Sequence, residues 1–333
     1  LYQVAAAQIA PESIAYPLRT VLRRAPRTRF LMATVQSIDF AHQVVETDDQ
    51  VIPYDYLVLA TGSQTQFLGV PGAVEHAFPL RTLAQATALR NHILQQFEQA
   101  TRERDPQRRQ QLLTFVIVGG GPTGVEMAGT LVELKRAVRR DYPGLSWQEM
   151  QIILVQSGDN LLANLPDRLG RYTTRKLRQL GVKVHFKTRV SRVTEQTVEF
   201  QDGSVLPAET VVWAAGLEAA MPAATASLAT ARKGKLRVRP TLQLIDHDTV
   251  YAIGDLAQAE QNGKPLTGVA PEALQQGVAV ARNIRRQLQG KAPTAFSYLN
   301  KGRLACIGGY AGVGKIGPVL LTGFLPWLMW LSV

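Results

Sequence analysis

The stretch FVIVGGGPTGVEMAG, Phe115 to Gly129, limits the fold more than any other part of the chain. An apolar run leads into consecutive glycines and then into a helix-forming segment, which reads as strand, tight turn and helix. Gly119, Gly121 and Gly124 stand in G-x-G-x-x-G spacing. In that pattern the first glycine permits the turn, the second lets backbone approach a pyrophosphate, and the third lets helix and strand pack closely. The helix N-terminus adds a field that favours negative charge. Such a unit usually opens a dinucleotide-binding domain, yet here more than 100 residues precede it.

The flanking sequence supports a nucleotide-binding reading. Thr114–Val118, Gln151–Gln156 and Val182–Phe186 are short apolar runs alternating with amphipathic helical stretches. This is the pattern of a doubly wound α/β sheet with buried parallel strands. The helix before Val182 is punctuated by Pro166 near its start and by Gly181 where a left-handed cap belongs. The charged segment Phe97 to Gln111 reads as a connector into the next domain.

An internal repeat explains the displaced fingerprint. Val35 to Gly62 matches Val190 to Gly216 in its polar turn, its proline, its acidic residue and a final strand ending in Ala-x-Gly. From Ile52–Gly62 to Leu206–Gly216 the offset is a constant 154. Gly119 lies 97 residues before Gly216, so the counterpart belonging to Gly62 falls at position −35, ahead of Leu1. The expectation is a protein with two nucleotide domains, of which this chain is truncated at both ends and lacks the first glycine turn.

Composition narrows the chemistry. At 333 residues two domains are expected rather than one. The single cysteine, Cys306, leaves no internal disulfide, redox pair or cysteine-rich metal cage, and suits a reducing compartment. His42, His76, His92, His185 and His247 are scattered without metal-ligand spacing, so no metal is expected. The net charge of +11 is spread over segments such as Lys135–Asp141 and Arg171–Leu180, which read as solvated helix faces, and no nucleic-acid partner is expected.

Three further positions bear on function. A carboxylate that would accept from a ribose 2′-hydroxyl is expected at the end of the second strand, but Gln156 stands there, 35 residues after Gly121. A neutral amide does not repel a 2′-phosphate, so either NADPH is tolerated beside NADH or Gln156 still accepts the 2′-hydroxyl and discriminates weakly. Glu126 reads as part of the first turn of the helix, either complementing its dipole or facing the nicotinamide and handling a proton. Gly254-Asp255 closes the strand VYAI, where the aspartate caps the next segment or accepts from a ribityl hydroxyl.

Taken in order, LYQVA, YDYLVLATGS, GGGPTGVEMAG, VVWAAG, VYAIGDLA and GVAPEALQQG resemble the type II NADH dehydrogenases, the single-chain NADH:quinone oxidoreductases, and most of all their cyanobacterial members. The resemblance covers nearly the whole chain. It implies an α/β fold of two Rossmann-type domains, with residues 1–110 and 241–300 binding FAD, 111–240 binding NADH or NADPH, and 301–333 forming a membrane-associating region. Carried over, Thr61, Gly62, Gly254, Asp255 and Ala273 lie at FAD. Gly119, Gly121, Pro122, Thr123, Gly124, Gln156, Ala215 and Gly216 lie at the nicotinamide nucleotide, and Glu126 is catalytic. The family's Ala-Gln-x-Ala-x-Gln element maps to Ala270–Gln275 with Pro271 replacing its first glutamine, which leaves Gln275 facing quinone.

The implied reaction is ping-pong hydride transfer to flavin and two-electron reduction of a plastoquinone, ubiquinone or menaquinone type, without proton pumping. The family is monotopic, which implies a peripheral protein on the cytoplasmic face of a membrane; a homodimer is also compatible. The uncharged run Ile316–Val333 then reads as an interfacial anchor with Trp327 and Trp330 at headgroup depth, its glycines and prolines arguing against a spanning helix. Two other readings stay open: a second kind of pyridine-nucleotide flavoprotein reductase, and an inactive nucleotide-binding fragment without flavin. The lone cysteine argues against the disulfide-reducing branch.

Overall fold

The computed structural model describes residues 1–221, 228 and 230–332. The chain forms two compact units, each assembled from separated stretches of sequence. The first comprises Leu1–Tyr16, Thr65–Gly216 and Lys301–Val333; the second comprises Pro17–Gln64 and Leu217–Asn300.

The first unit is built on a five-stranded parallel sheet in the spatial order Phe78–Pro79, Thr210–Trp213, Thr114–Val118, Gln151–Val155, Val182–His185. Thr114–Val118 lies at the centre and all five of its residues are buried, which is why the run is apolar rather than alternating. At the outer edge, Val182–His185 alternates between buried and exposed. Helix Pro122–Ala137 covers the sheet with Val125, Met127, Ala128 and Leu131 inward, and Asp167–Gln179 follows with Gly181 in the left-handed conformation at φ +93°. An antiparallel meander, Val190–Val193, Thr197–Phe200 and Val205–Pro207, precedes the Thr210–Trp213 strand.

Residues 97–111 do not connect domains. Helix Leu83–Arg102 starts at a reciprocal cap between Thr82 and Gln85 and buries Ala86, Leu89, Ile93, Phe97 and Ala100 along one face. Phe97 is fully buried edge-on to Phe115 and Trp147, with ring centroids 5.9 and 5.7 Å apart. Truncating such a ring to alanine costs about 3–5 kcal/mol. A second helix, Pro106–Leu112, is capped by Asp105. The compact units divide at 16/17, 64/65, 216/217 and 300/301, and the helices ahead of the glycine turn share its core.

The C-terminal run is divided between strands and a short helix. Arg303–Gly308, Ala311–Ile316 and Val319–Gly323 form an antiparallel meander, and only Phe324–Trp330 is helical. Backbone pairing takes the glycine-rich part that apolarity alone suggested was anchor. Among the described residues no helix is long and apolar enough to cross a membrane. The meander packs closely on helix Pro122–Ala137: a Cβ at Gly129 would lie 1.9 Å from the Ile307 carbonyl oxygen.

In the second unit, Leu57–Leu59 runs parallel to His247–Ala252, which pairs antiparallel with Gln243–Leu244. The meander Val35–Asp39, Val44–Thr47, Val51–Pro53 precedes Leu57–Leu59. Helix Ala270–Leu288 buries Glu272, Gln276, Val280 and Asn283. The repeat read from the sequence is thus present as the same meander, strand and glycine in both units, with Gly62 at φ +77° and Gly216 at φ +72°.

Candidate functional site

In the first unit, the central strand ends at Gly119, whose φ of +112° belongs to glycine. A Cβ there would approach Ala214 and Ala215 backbone within 2.8–2.9 Å, and one at Gly124 would lie 1.9 Å from the Gly119 oxygen. At Gly121, which caps the helix, an added Cβ would meet nothing within 4 Å. Two of the glycines are thus required by packing, and the third leaves free space at a helix N-terminus. Pro122 is the first helical residue, with Thr123 second.

A cavity of about 170 Å³ opens here, lined by Gly119, Gln156, Ser157, Thr188, Arg189, Trp213 and Ala215 among others. It lies at the carboxyl ends of the parallel strands, where open α/β sheets bind ligands. Gly216 closes the Thr210–Trp213 side: its oxygen accepts from Gln66 N at 3.2 Å, and a Cβ would meet the Gln66 oxygen at 2.5 Å. The Trp213 indole N–H donates to the same Gln66 oxygen at 3.1 Å. Gln156 is not an idle replacement for a carboxylate. Its Oε1 accepts from Gly120 N at 2.9 Å, so the amide braces the glycine turn.

Glu126 sits in the second turn of Pro122–Ala137, not the first, since that helix begins only at Pro122. There its charge gains little from the helix terminus. It accepts from Cys306 N at 3.4 Å and does not line the cavity. Burial pushes its carboxyl up to about 7, and the Cys306 thiol beside it up to about 11.

The second unit gathers its candidate residues at the ends of its parallel strands. Gly254, at φ +69°, has Ala273 against it, 3.5 Å from where a Cβ would project. Asp255 accepts from the Ser63 hydroxyl at 2.7 Å, and Thr61 Oγ1 donates to the Ala220 oxygen at 2.6 Å. The N-terminus of Ala270–Leu288 is braced by buried Glu272, which accepts from Gly268 N at 2.7 Å and from Thr267 Oγ1 at 2.9 Å. Gln275 is held by Leu299: Nε2 donates to its oxygen at 3.0 Å and Oε1 accepts from its N–H at 2.9 Å. One amide hydrogen and one lone pair remain free of those two bonds.

Sequence reasoning missed Gln276. It is 2% exposed, and its Oε1 accepts from Gly254 N at 2.6 Å, fixing the turn that carries Asp255. The buried positions 272, 276, 280 and 283 recur at helical spacing, a periodicity that could have singled it out. Among the described residues no three His, Cys, Asp or Glu side chains are grouped as metal ligands.

The chain is similar to known proteins over nearly its whole length. A family model described as pyridine nucleotide-disulphide oxidoreductase matches residues 1–277. The type II NADH:quinone oxidoreductase Ndh of Mycobacterium tuberculosis is 35% identical, with 99% of this chain and 74% of that protein covered. The type II NADH:quinone oxidoreductase of Staphylococcus haemolyticus is 28% identical over 97% of this chain and 80% of its own length. The structure of NDH2 from Plasmodium falciparum in complex with NADH superposes with a TM-score of 0.87, covering 99% of this chain and 85% of that one at 17% identity, a likeness of fold.

Proposed function

Because the chain belongs to the type II NADH:quinone oxidoreductases, within the pyridine nucleotide-disulphide oxidoreductase family, we propose that it oxidises NADH and reduces a quinone with FAD as its redox group. The observation that carries the reading is the glycine turn over a cavity at the carboxyl edge of a parallel sheet, in a chain similar to these enzymes over 99% of its length.

The chain's own residues have separable tasks. Gly119, Gly121, Pro122, Thr123 and Gly124 receive the NADH pyrophosphate at the helix N-terminus, while Ala215 and Gly216 border the nucleotide and Gln156 keeps the turn in shape. The second unit fits a flavin nucleotide on one side: two left-handed glycines, Gly62 and Gly254, allow close approach, and Asp255 is oriented by Ser63. Thr61, Gly62, Gly254, Asp255 and Ala273 would hold FAD there; when bound, FAD accepts a hydride from NADH and returns two electrons to quinone. Glu126, whose carboxyl titrates near neutral pH, holds or releases a proton for that chemistry. Gln275, fixed by Leu299, presents its remaining amide hydrogen to the quinone.

Membrane association is peripheral in this proposal, at the cytoplasmic face. Phe324, Leu325, Leu328 and Leu331 are exposed and form its apolar contact. Trp327 packs on Tyr310 with centroids 5.0 Å apart and Trp330 on Tyr2 at 6.3 Å, so the leucines and Phe324 make the contact rather than the tryptophans. The domain roles follow the two units, and a homodimer remains part of the proposal. Initial rates across a matrix of NADH and menadione concentrations test the function. Parallel double-reciprocal lines are expected; intersecting lines, or no turnover by the flavin-loaded protein, would overturn it.

A further inference from the structure

The cavity beside the glycine turn has an electrostatic character that a site selective for NADH does not need. Such sites place a carboxylate at the end of the second strand to accept from the ribose 2′-hydroxyl, whereas a nearby arginine accommodates a 2′-phosphate. Among its described lining residues there is no Asp or Glu, and Arg189 is the one charged residue.

The hydrogen bonds sharpen this. Gln156 Oε1, the acceptor nearest in sequence to the expected carboxylate, is occupied by Gly120 N at 2.9 Å, and Nε2 has only a 3.4 Å contact with the Asn160 oxygen. Ser157, the next residue, lines the cavity and is exposed. Arg189 is exposed, and its backbone oxygen accepts from Gln201 N at 2.9 Å, which ties the segment carrying it to the neighbouring meander. The nearby carboxylate Asp159 pairs instead with Lys187, at 3.7 Å, and neither lines the cavity. The rim thus offers donors and positive charge where an adenosine ribose would lie, a set complementary to a phosphomonoester dianion.

We propose that this cavity is a 2′-phosphate subsite in which Arg189, with the Ser157 hydroxyl and the Gln156 amide hydrogens, lets the protein use NADPH beside NADH. The inference rests on the nicotinamide-nucleotide reading above and names the residues that would set its selectivity. The overall balance is unchanged by the choice of donor: NADPH, a proton and a quinone become NADP⁺ and a quinol. Arg189 is a specificity residue here and touches no reacting atom.

The test compares kcat/KM for NADPH and NADH with menadione in the flavin-loaded wild type, Arg189→Ala, Arg189→Lys and Gln156→Glu, with inhibition by 2′,5′-ADP and by ADP as probes. Wild type is expected to use both donors within about tenfold of each other, and to bind 2′,5′-ADP more tightly than ADP. Losing a charge-assisted hydrogen bond should lower NADPH kcat/KM in Arg189→Ala by about tenfold to a hundredfold. The NADH value should stay within about threefold, and Arg189→Lys should recover part of the loss. Gln156→Glu, which also alters the brace on the glycine turn, should lower the values for both donors and that for NADPH by the larger factor, through like-charge repulsion. Turnover with NADH alone, or equal losses for both donors in Arg189→Ala, overturns the subsite while leaving the NADH reading intact. Turnover with neither donor overturns the reading on which it rests.

Discussion

The meander that ends in Gly62 and the one that ends in Gly216 are two versions of one device in unequal surroundings. In the first unit, Thr210–Trp213 is buried at all four positions, with parallel strands on both sides and Gly119 directly against Ala214 and Ala215. In the second, Leu57–Leu59 pairs only with His247–Ala252 among the described residues, and Val58 remains 38% exposed. The similar local sequence therefore lies beside the strand that leads to Gly119 in one unit and beside the strand that leads to Gly254 in the other.

The comparison breaks most readily at Gly124. A valine there would drive carbon into the Gly119 oxygen, so Gly124→Val should destabilise the first unit by about 3 kcal/mol or more and abolish NADH turnover, as followed by thermal unfolding and initial rates. Gly121→Ala should leave unfolding unchanged and weaken NADH binding, because its added carbon meets only open space. Next in size, Asp255→Ala should strip flavin from the second unit while NADH binding, read by nucleotide fluorescence, persists. A loss of both ligands would show that the units do not divide the work. Gln276→Ala should cost about 1–3 kcal/mol by leaving the Gly254 N–H without its partner, and should reduce flavin content before it affects NADH affinity.

The smallest effect concerns pH. The Glu126 carboxyl is raised from 4.5 to about 7, so the folded protein keeps a proton that the unfolded chain releases. The stability associated with that proton is complete below 4.5 and is lost as pH rises through about 7. Half-buried His92, lowered from 6.5 to about 4, acts in the opposite sense: acid destabilises as pH falls through that window. Comparing Glu126→Gln with wild type cancels the histidine contribution. The variant should lack the decline in melting temperature between pH 5 and 7.5, and an unchanged decline would assign it to another group.

Much of the first unit was legible in the sequence because its information is local. Three apolar runs, Gly119 to Gly124, and the Pro166 and Gly181 punctuation each impose a backbone shape within a few residues. The repeat also survived, since turn chemistry and a terminal glycine fix both meanders. What sequence did not disclose depends on distant partners. Phe97 lies in a charged segment that resembles a linker until Phe115 and Trp147 enclose it. The glycine-rich C-terminal run is apolar whether it pairs as strands or lies in a membrane interface, and only strand pairing distinguishes them. Which amide of the Gln275-Gln276 pair is buried is a matter of helix phase, and that Gln156 braces Gly120 depends on the direction of one side chain.

The central claim is that the copy built around Gly119–Gly124 receives the reductant while the copy around Gly62 and Gly254 holds the flavin. An anaerobic titration of the flavin-loaded protein with NADH, followed by menadione, tests it most directly. The oxidised-flavin absorbance should bleach with one NADH per flavin and return when the quinone is added. NADH that binds without bleaching the flavin, or a bleached flavin that menadione does not reoxidise, would contradict the account.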